Sequence, residues 1–320
     1  MLRTQRSRRL GGVIAAIAAT ALTLTACASG QAPAAGSGTV GATLLSLQYP
    51  FLVTLDDAAK AQAAEEGIGY VSLDPRQKTA TELTQIEDLI TRKVDVIMMI
   101  PVDQQTSQAA AKKVNDAGIP LLLVNTSFED FDGDYVSYVG SDDTSAGKIQ
   151  GDYLAEQLPD GGNVIYLVGQ YGGAGTERRK AGFDGVLADR PDLKVVTELE
   201  AHGSRAEGKT IMEDLLQKYG KGEVQAVVAQ SDEMAIGAAS AIKEAGRQDE
   251  FKVVMGIDGS ADGLAAVADG SLTATVFQDA VGQGRAAIET AAKIIRGEEV
   301  PKVVDLPFVL VTKSNVADFQ

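Results

Sequence analysis

The sequence is poor in two residue types that build many functional sites. It contains one cysteine, Cys27, and one histidine, His202, among 320 residues. Without a second cysteine there is no intramolecular disulfide, so stability has to come from packing. With one histidine and no cysteine pair, the sequence offers no ligand set for a zinc site and only a single histidine from which a catalytic triad could be built. We therefore expect no metal and no other cofactor.

Positive charge is also scarce. Lys and Arg number 29 against 44 Asp and Glu, and four of the arginines lie within the first nine residues. The chain after Cys27 carries 25 basic and 44 acidic side chains, a net charge of −19. Such a chain repels nucleic-acid phosphates and anionic lipid headgroups. This excludes a nucleic-acid partner and favours a freely soluble body.

The first 27 residues have the pattern of a secretory signal. Four arginines precede the apolar run 10–26, which falls short of the roughly 20 apolar residues that a membrane-spanning helix needs. Leu24-Thr25-Ala26-Cys27 resembles the bacterial lipobox, in which the cysteine becomes the lipidated first residue of the mature chain. We predict a cleaved signal at 1–27 and a lipid at Cys27 as the sole membrane contact, at the outer face of the cell membrane. The alternative is an ordinary signal peptide that contains a cysteine.

Residues 28–39 are mostly Ala, Gly, Ser and Pro, without charge or periodicity, which is typical of a flexible tether. From Val40 onward, short aliphatic runs alternate with amphipathic helical segments. The predicted strands include 42–47, 94–100, 120–124, 163–168, 224–229 and 252–256, and the predicted helices include 54–66, 79–92, 106–117 and 231–245. This alternation predicts an α/β fold with parallel sheets covered on both faces.

The chain also repeats itself. Residues 73–126 and 199–260 follow the same order of elements at an offset of roughly 130 residues. Ile86-Glu87-Asp88-Leu89 matches Met212-Glu213-Asp214-Leu215, and Asn115-Asp116-Ala117-Gly118 matches Lys243-Glu244-Ala245-Gly246. We predict two similar three-layer lobes, 40–141 plus 279–307 and 142–278 plus 308–320.

Ligands of open α/β sheets lie outside the carboxyl ends of the strands, so two facing lobes make a cleft between them. The loops that follow the strands are then the candidate binding segments. They are 48–52, 101–103, 125–128, 170–179, 202–205, 231–233, 258–260 and 278–279.

Several of these loops carry a family resemblance that extends from Val40 to the end of the chain. The stretches include YPFLVTLDDAAKAQAAEEG, QIEDLITRKVDVIMMIPVDQQ, VVAQSDEMAIGAASAIKEAG and GIDGSADGLAAVADGSLTATVFQD. They resemble the type I periplasmic sugar-binding proteins of the ribose-binding class, the capture components of ABC importers. VGSDDTSAGKIQGDYLAEQL and FQDAVGQG look most similar to the members that take up inositols and rhizopine. The resemblance implies a monomeric solute-binding protein that delivers its ligand to an ABC permease and is not an enzyme.

The resemblance also implies roles for single residues. Phe51 matches an aromatic residue that lies against the apolar face of the sugar ring. Asp258 matches a carboxylate that accepts hydrogen bonds from ring hydroxyls, and Gln278 matches an amide at the hinge. Tyr49 is a further candidate partner for a hydroxyl. For Asp258, a role as the cap of the helix that starts near residue 260 is the alternative.

At other positions the chain departs from the ribose-binding pattern. Asn125-Thr126 replaces an Asp-Arg pair, Ser231 replaces an asparagine, and we align Glu177 with the pocket arginine. These changes predict a more acidic pocket that binds a neutral sugar, polyol or cyclitol, or an amine-bearing cyclitol that pairs with Glu177, and that rejects uronates. A solvated ion pair with the neighbouring basic residues is the alternative for Glu177.

Two other classes of function fit parts of the sequence. A surface glycan hydrolase would use paired cleft carboxylates, here Glu177 and Asp258, but no activated nucleophile is visible. A LacI-like regulator would share the fold, yet it requires a DNA-binding N-terminus in place of an export signal. Turnover of an added ligand separates the hydrolase from a binding protein.

Overall fold

Strands alternate with helices through most of residues 38–320, the part of the chain that the computed structural model describes. The predicted signal segment, Cys27 and residues 28–37 of the predicted tether lie outside these described residues. Between 38 and 320, no helix combines the length and the apolar character needed to cross a membrane.

The first sheet has six parallel strands in the order β11-β5-β4-β3-β1-β2. The strands are β1 Thr39–Leu44, β2 Gly69–Leu73, β3 Val96–Ile100, β4 Leu121–Asn125, β5 Ser137–Gly140 and β11 Val303–Asp305. The helices of this lobe are α1 Pro50–Glu66, α2 Thr79–Thr91, α3 Ser107–Asp116 and α9 Ala280–Ile295. Helices α1 and α9 cover one face of the sheet and α2 and α3 cover the other.

The second sheet has the order β12-β10-β9-β8-β6-β7, in which only the edge strand β12 runs antiparallel. The strands are β6 Gly162–Val168, β7 Leu193–Glu200, β8 Ala226–Ala229, β9 Val253–Asp258, β10 Ala274–Phe277 and β12 Val309–Thr312. The helices are α4 Asp143–Gln157, α5 Ala174–Ala188, α6 Arg205–Lys218, α7 Asp232–Glu244 and α8 Ala261–Asp269. Helices α4 and α5 pack on one face, and α6, α7 and α8 pack on the other.

The α/β class with two similar three-layer lobes is confirmed. The repeated segments occupy equivalent places, because Ile86 and Leu89 lie in α2 while Met212 and Leu215 lie in α6, and all four are buried. The chain passes between the two sheets three times, after β5, after β10 and after β11. The largest errors in the predicted boundaries lie at the start of the first lobe: β1 spans Thr39–Leu44 rather than 42–47, and α1 starts at Pro50 rather than at residue 54. Proline fits the first turn of a helix, where its missing N–H costs no hydrogen bond.

Close helix pairs support the second sheet. Helices α4 and α5 approach each other through Gly147 and Gly182, where an added Cβ would collide with the backbone oxygens of Arg179 and Thr144 respectively. Alanine at either position would push the helices apart. The exact placement of α5 therefore depends on these two glycines, and α5 carries residues of the site described below.

Glu82 on α2 is a carboxylate buried inside the first lobe. It accepts hydrogen bonds from the hydroxyl of Ser107 and from the N–H of Val102, the latter at 3.0 Å. It thereby ties α2 and α3 to the loop that follows β3. Burial raises the pKa of Glu82 to about 7, although both hydrogen bonds act in the opposite direction.

A raised pKa means that the folded protein binds this proton more tightly than the unfolded chain does. The contribution of Glu82 to the free energy of unfolding is therefore largest at low pH and declines as the pH rises to about 7. Glu82→Gln removes the charge, so we expect it to stabilise the protein by about 1–3 kcal/mol at pH 8 relative to the wild type, an advantage that shrinks towards pH 4.5. Urea unfolding at both pH values measures this, with the exposed Glu87→Gln as control. An effect of Glu82→Gln that does not depend on pH would contradict the assignment.

Candidate functional site

The carboxyl ends of both sheets face a cleft between the lobes. This cavity has a volume of about 150 Å³, and its walls come from loops and helix starts on both sides. The wall residues are Leu45, Tyr49, Phe51, Leu52, Pro101, Val102, Asn125, Thr126, Gly169, Gln170, Gly173, Ala174, Gly175, Thr176, Arg179, Gly203, Gln230, Ser231, Met234, Asp258 and Gln278. The cavity therefore lies where the strand-end argument predicts it.

Seven of the eight residues predicted for the site line this cavity. They are Tyr49, Phe51, Asn125, Thr126, Ser231, Asp258 and Gln278. The eighth, Glu177, does not. Gln170, Thr176, Arg179 and Gln230 are polar residues of the wall that the residue-level predictions omit.

The aromatic part of the wall comes from the start of α1. Tyr49 is the residue that precedes this helix and Phe51 lies in its first turn, so the backbone of the turn fixes both side chains on the cavity side. Burial, together with the charges of Glu200 and Glu207, raises the pKa of Tyr49. Its phenol is therefore neutral at ordinary pH and both donates and accepts hydrogen bonds.

Arg179 on α5 is the cation of the site. Its Nε donates to Asp143 Oδ1 at 2.8 Å, one terminal nitrogen donates to the carbonyl oxygen of Gln230 at 2.7 Å, and the other donates to Gln278 Oε1 at 3.3 Å. Burial lowers the pKa of Arg179, but the charges of Asp143 and Asp258 more than offset this, so the pKa is raised overall. A guanidinium has five N–H groups, and these three bonds leave two of them for a ligand.

Asp258 is the carboxylate of the site. It is the last residue of β9 and has a φ of 120°, followed by Gly259 at 64°, so the chain turns sharply and points this side chain to the cavity wall. Burial raises its pKa well above the ordinary value, the charge of Asp232 raises it further, and Arg179 acts against both. An acceptor with this environment is stabilised by donors that a ligand brings.

The helix-cap alternative for Asp258 is wrong. Ser260 caps α8, because its hydroxyl accepts from the N–H of Gly263 at 3.0 Å. Asp232 holds this turn in place, since its carboxylate accepts from the N–H and the hydroxyl of Ser260 at 2.8 and 3.0 Å. The start of α8 is therefore capped by other side chains, and the Asp258 carboxylate lines the cavity instead.

Two amides complete the polar wall. The Gln278 side chain is buried, and among the residues that the structure describes its Nε2 finds no acceptor. Asn125, at a φ of 62°, donates through Nδ2 to Gln283 Oε1 at 3.1 Å. This bond fixes the Asn125 amide, so its oxygen remains as an acceptor beside the hydroxyl of Thr126.

The predictions for Glu177 are wrong in this structure. Its side chain is exposed and accepts from the N–H of Gly172 at 3.1 Å, outside the cavity wall. The helical period explains the error: Gly182 and Phe183 are buried in α5, and Arg179, three and four residues earlier, shares their face. Glu177 points elsewhere. The pocket has not lost its arginine, and the carboxylate pair of the hydrolase hypothesis does not face one cavity.

The arrangement suits hydroxyl groups. Arg179 and Gln278 offer free donors, Asp258 and Asn125 offer acceptors, and Tyr49 offers both. A hydroxyl can donate and accept at once, so several hydroxyls on one small molecule can satisfy this set. Phe51 supplies an aromatic side chain for the C–H groups between them.

Known proteins share this architecture along nearly the whole chain. A family model described as a periplasmic binding protein domain matches residues 40–299. The ribose import binding protein of Escherichia coli is 35% identical over 297 residues, 93% of this chain and 97% of that protein. A Rhizobium meliloti protein described as rhizopine-binding is 34% identical over 292 residues, 90% of this chain and 94% of its own.

A solved structure extends the comparison. An ABC transporter solute-binding protein from Bacillus halodurans, determined with bound myo-inositol, superimposes with a TM-score of 0.84 at 33% identity. The match covers 89% of this chain and 97% of that one.

The buried ion pair of Arg179 and Asp143 predicts that removal of the arginine lowers the free energy of unfolding. Arg179→Met leaves the buried carboxylate of Asp143 without a partner, so we expect a loss of about 3 kcal/mol in the free energy of unfolding. The double variant Arg179→Met/Asp143→Asn should recover part of the loss, because it also removes the uncompensated charge. Urea unfolding without ligand measures both, with Arg178→Met as the matched control. A loss for Arg179→Met no larger than that control shows would contradict the buried pair.

Proposed function

The chain belongs to the type I periplasmic sugar-binding proteins of ABC importers, and we propose that it captures a neutral sugar, polyol or cyclitol outside the cytoplasm for delivery to a permease. One observation carries the ligand class: polar side chains and two aromatic residues line a small cavity, and the buried Gln278 Nε2 in its wall has no acceptor among the described residues. Buried polar groups of this kind cost free energy until a ligand satisfies them. A polyhydroxylated ligand does so at several points together.

The charge balance supports a neutral ligand. The cation Arg179 is already paired with Asp143 and lies within the electrostatic influence of Asp258. A uronate would place another carboxylate beside Asp258, and an ammonium group would have to approach Arg179. The exposed position of Glu177 gives an amine-bearing cyclitol no special partner. A ligand without charge avoids both conflicts, in keeping with relatives whose names or bound ligands are ribose and myo-inositol.

Capture is proposed to proceed by closure of the lobes. The ligand contacts come from both lobes, with Phe51 and Asn125 on one and Arg179 and Asp258 on the other. A ligand that bridges them favours the closed arrangement by its difference in affinity for the two states. The lobes also bond directly in this structure, since Arg178 of the second lobe donates to Ser127 Oγ of the first at 3.0 Å. The permease would then recognise the closed monomer.

Export and anchoring remain part of the proposal. The signal-like residues 1–27 and the Leu-Thr-Ala-Cys pattern support export with a lipid on Cys27. A lipid at the start of an uncharged tether would hold the acidic body near the permease without direct contact with the membrane surface.

The first test concerns Asp258. Asp258→Asn removes a charged acceptor from hydrogen bonds with ligand hydroxyls, so we expect about 1.5–3 kcal/mol of binding to be lost. Because hydroxyl donors favour the carboxylate form, wild-type affinity should hold at high pH and decline as the pH falls through the raised pKa of Asp258, whereas the variant should lack this component.

Titration calorimetry with ribose, xylitol, sorbitol, glucose and myo-inositol at pH 8 and pH 5 measures these effects. Glu177→Gln, an exposed carboxylate beside the site, is the matched control and should bind as the wild type does. Equal affinity of Asp258→Asn and wild type would remove Asp258 from the ligand site. Turnover of a bound sugar would overturn the assignment as a binding protein.

The second test concerns anchoring. Cys27→Ala removes the only thiol of the chain, so the variant should move from the membrane fraction to the soluble fraction of the cell envelope. Immunoblots of the two fractions compare it with a Ser29→Ala control. Equal retention of Cys27→Ala at the membrane would disprove the lipid attachment.

A further inference from the structure

A second cavity of about 430 Å³ adjoins the site at its hinge side. It shares Phe51, Asp258 and Gln278 with the wall of the first cavity, so these three side chains lie at the boundary between the two cavities. The rest of its wall comes from the starts of α1, α7, α8 and α9, from the end of β10 and from the C-terminal segment.

The chemistry of this second cavity resembles that of the first. Phe277 and Phe319 pack together with ring centroids 5.0 Å apart and form an aromatic side. Glu233, Asp262 and Asp279 contribute carboxylates, and Arg205 holds the first two in place through contacts of 2.6 Å to each. Carboxylate acceptors beside aromatic rings match a hydroxylated ring, whose hydroxyls donate and whose C–H groups pack on the aromatic faces.

The sizes of the two spaces differ in a way that the proposed function leaves unexplained. The inner cavity of about 150 Å³ holds one small ring or chain, whereas the adjoining space is larger. A ligand hydroxyl that faces Asp258 or Gln278 lies at the junction, because both residues belong to both walls. A substituent on that hydroxyl would enter the second cavity and leave the ligand's contacts with Tyr49 unchanged, because Tyr49 lines only the inner cavity.

We propose that the second cavity is a subsite for a glycosyl substituent, so that the protein takes up a glycoside of its sugar, polyol or cyclitol. This inference rests on the proposed function, which supplies the ring in the inner cavity. The glycosyl unit contacts both lobes, since Thr54 and Val281 belong to the first lobe and Phe319 to the second. It therefore adds to the free energy of closure.

Three matched ligand pairs test the subsite: myo-inositol with galactinol, sorbitol with maltitol, and glucose with cellobiose. Titration calorimetry should show at least one glycoside that binds as tightly as its parent or more tightly, by up to about tenfold. Thr54→Phe fills the second cavity from an exposed position on α1, and Phe319→Ala removes part of its aromatic side. Each should weaken that glycoside about tenfold and change the affinity for the parent less than twofold.

Val53→Phe is the matched control, because its side chain is exposed on the same helix and lines neither cavity. Parents that bind while every glycoside fails would overturn the subsite and leave the proposed function intact. Equal loss of parent and glycoside in Thr54→Phe, with Val53→Phe normal, would also overturn it. Absence of binding by all pairs and by ribose and xylitol would overturn both.

Discussion

The molecule depends on a charge cluster that is buried between its lobes. Arg179 sits among Asp143, Asp258 and the carbonyl of Gln230, and 15% of its side chain is exposed. An isolated charge in such a place would be costly, and Asp143 offsets the cost for the arginine. Burial and the charge of Asp232 raise the pKa of Asp258, although Arg179 acts in the opposite direction. The same cluster thus holds α5 in place and, in the proposed function, supplies both charges of the ligand site.

Contacts in both lobes hold the polar side chains of the cleft in fixed positions. Glycines allow α4 and α5 to touch at the backbone, so that Asp143 at the start of one helix reaches Arg179 on the other. On the opposite lobe, Gln283 of α9 fixes the Asn125 amide after β4. Each lobe therefore presents prearranged polar groups, and binding has to order only the ligand and the angle between the lobes.

Much of the fold could be predicted from the sequence, because periodic apolar runs report buried strands and helix faces directly. The strong runs of β3 and β6 and the matching segments of α2 and α6 gave the two lobes and their cleft. Short edge strands such as β11 have only three residues, two of them exposed, which is too short for a periodic pattern to predict the strand. The start of α1 was missed because Pro50 looks like a breaker until its place in the first turn is known.

The site was predictable wherever a residue ends a strand, as Asp258 and Asn125 do. It was not predictable by linear alignment within α5, where Glu177, Arg178 and Arg179 stand side by side. The helical period distinguishes these three residues, because Arg179 lies four residues before the buried Phe183 and so shares its face of the helix. Gln230 was harder, since its role arises from contacts with Gly169, Thr176 and Arg179 that only the folded chain brings together.

The most direct test is a crystal structure of the protein grown with the tightest-binding neutral ligand from calorimetry. The account predicts a closed form in which the ligand packs against Phe51 and places hydroxyls within hydrogen-bond distance of Asp258, Gln278 and Arg179. A ligand bound away from these residues, or held chiefly by Glu177, would contradict it.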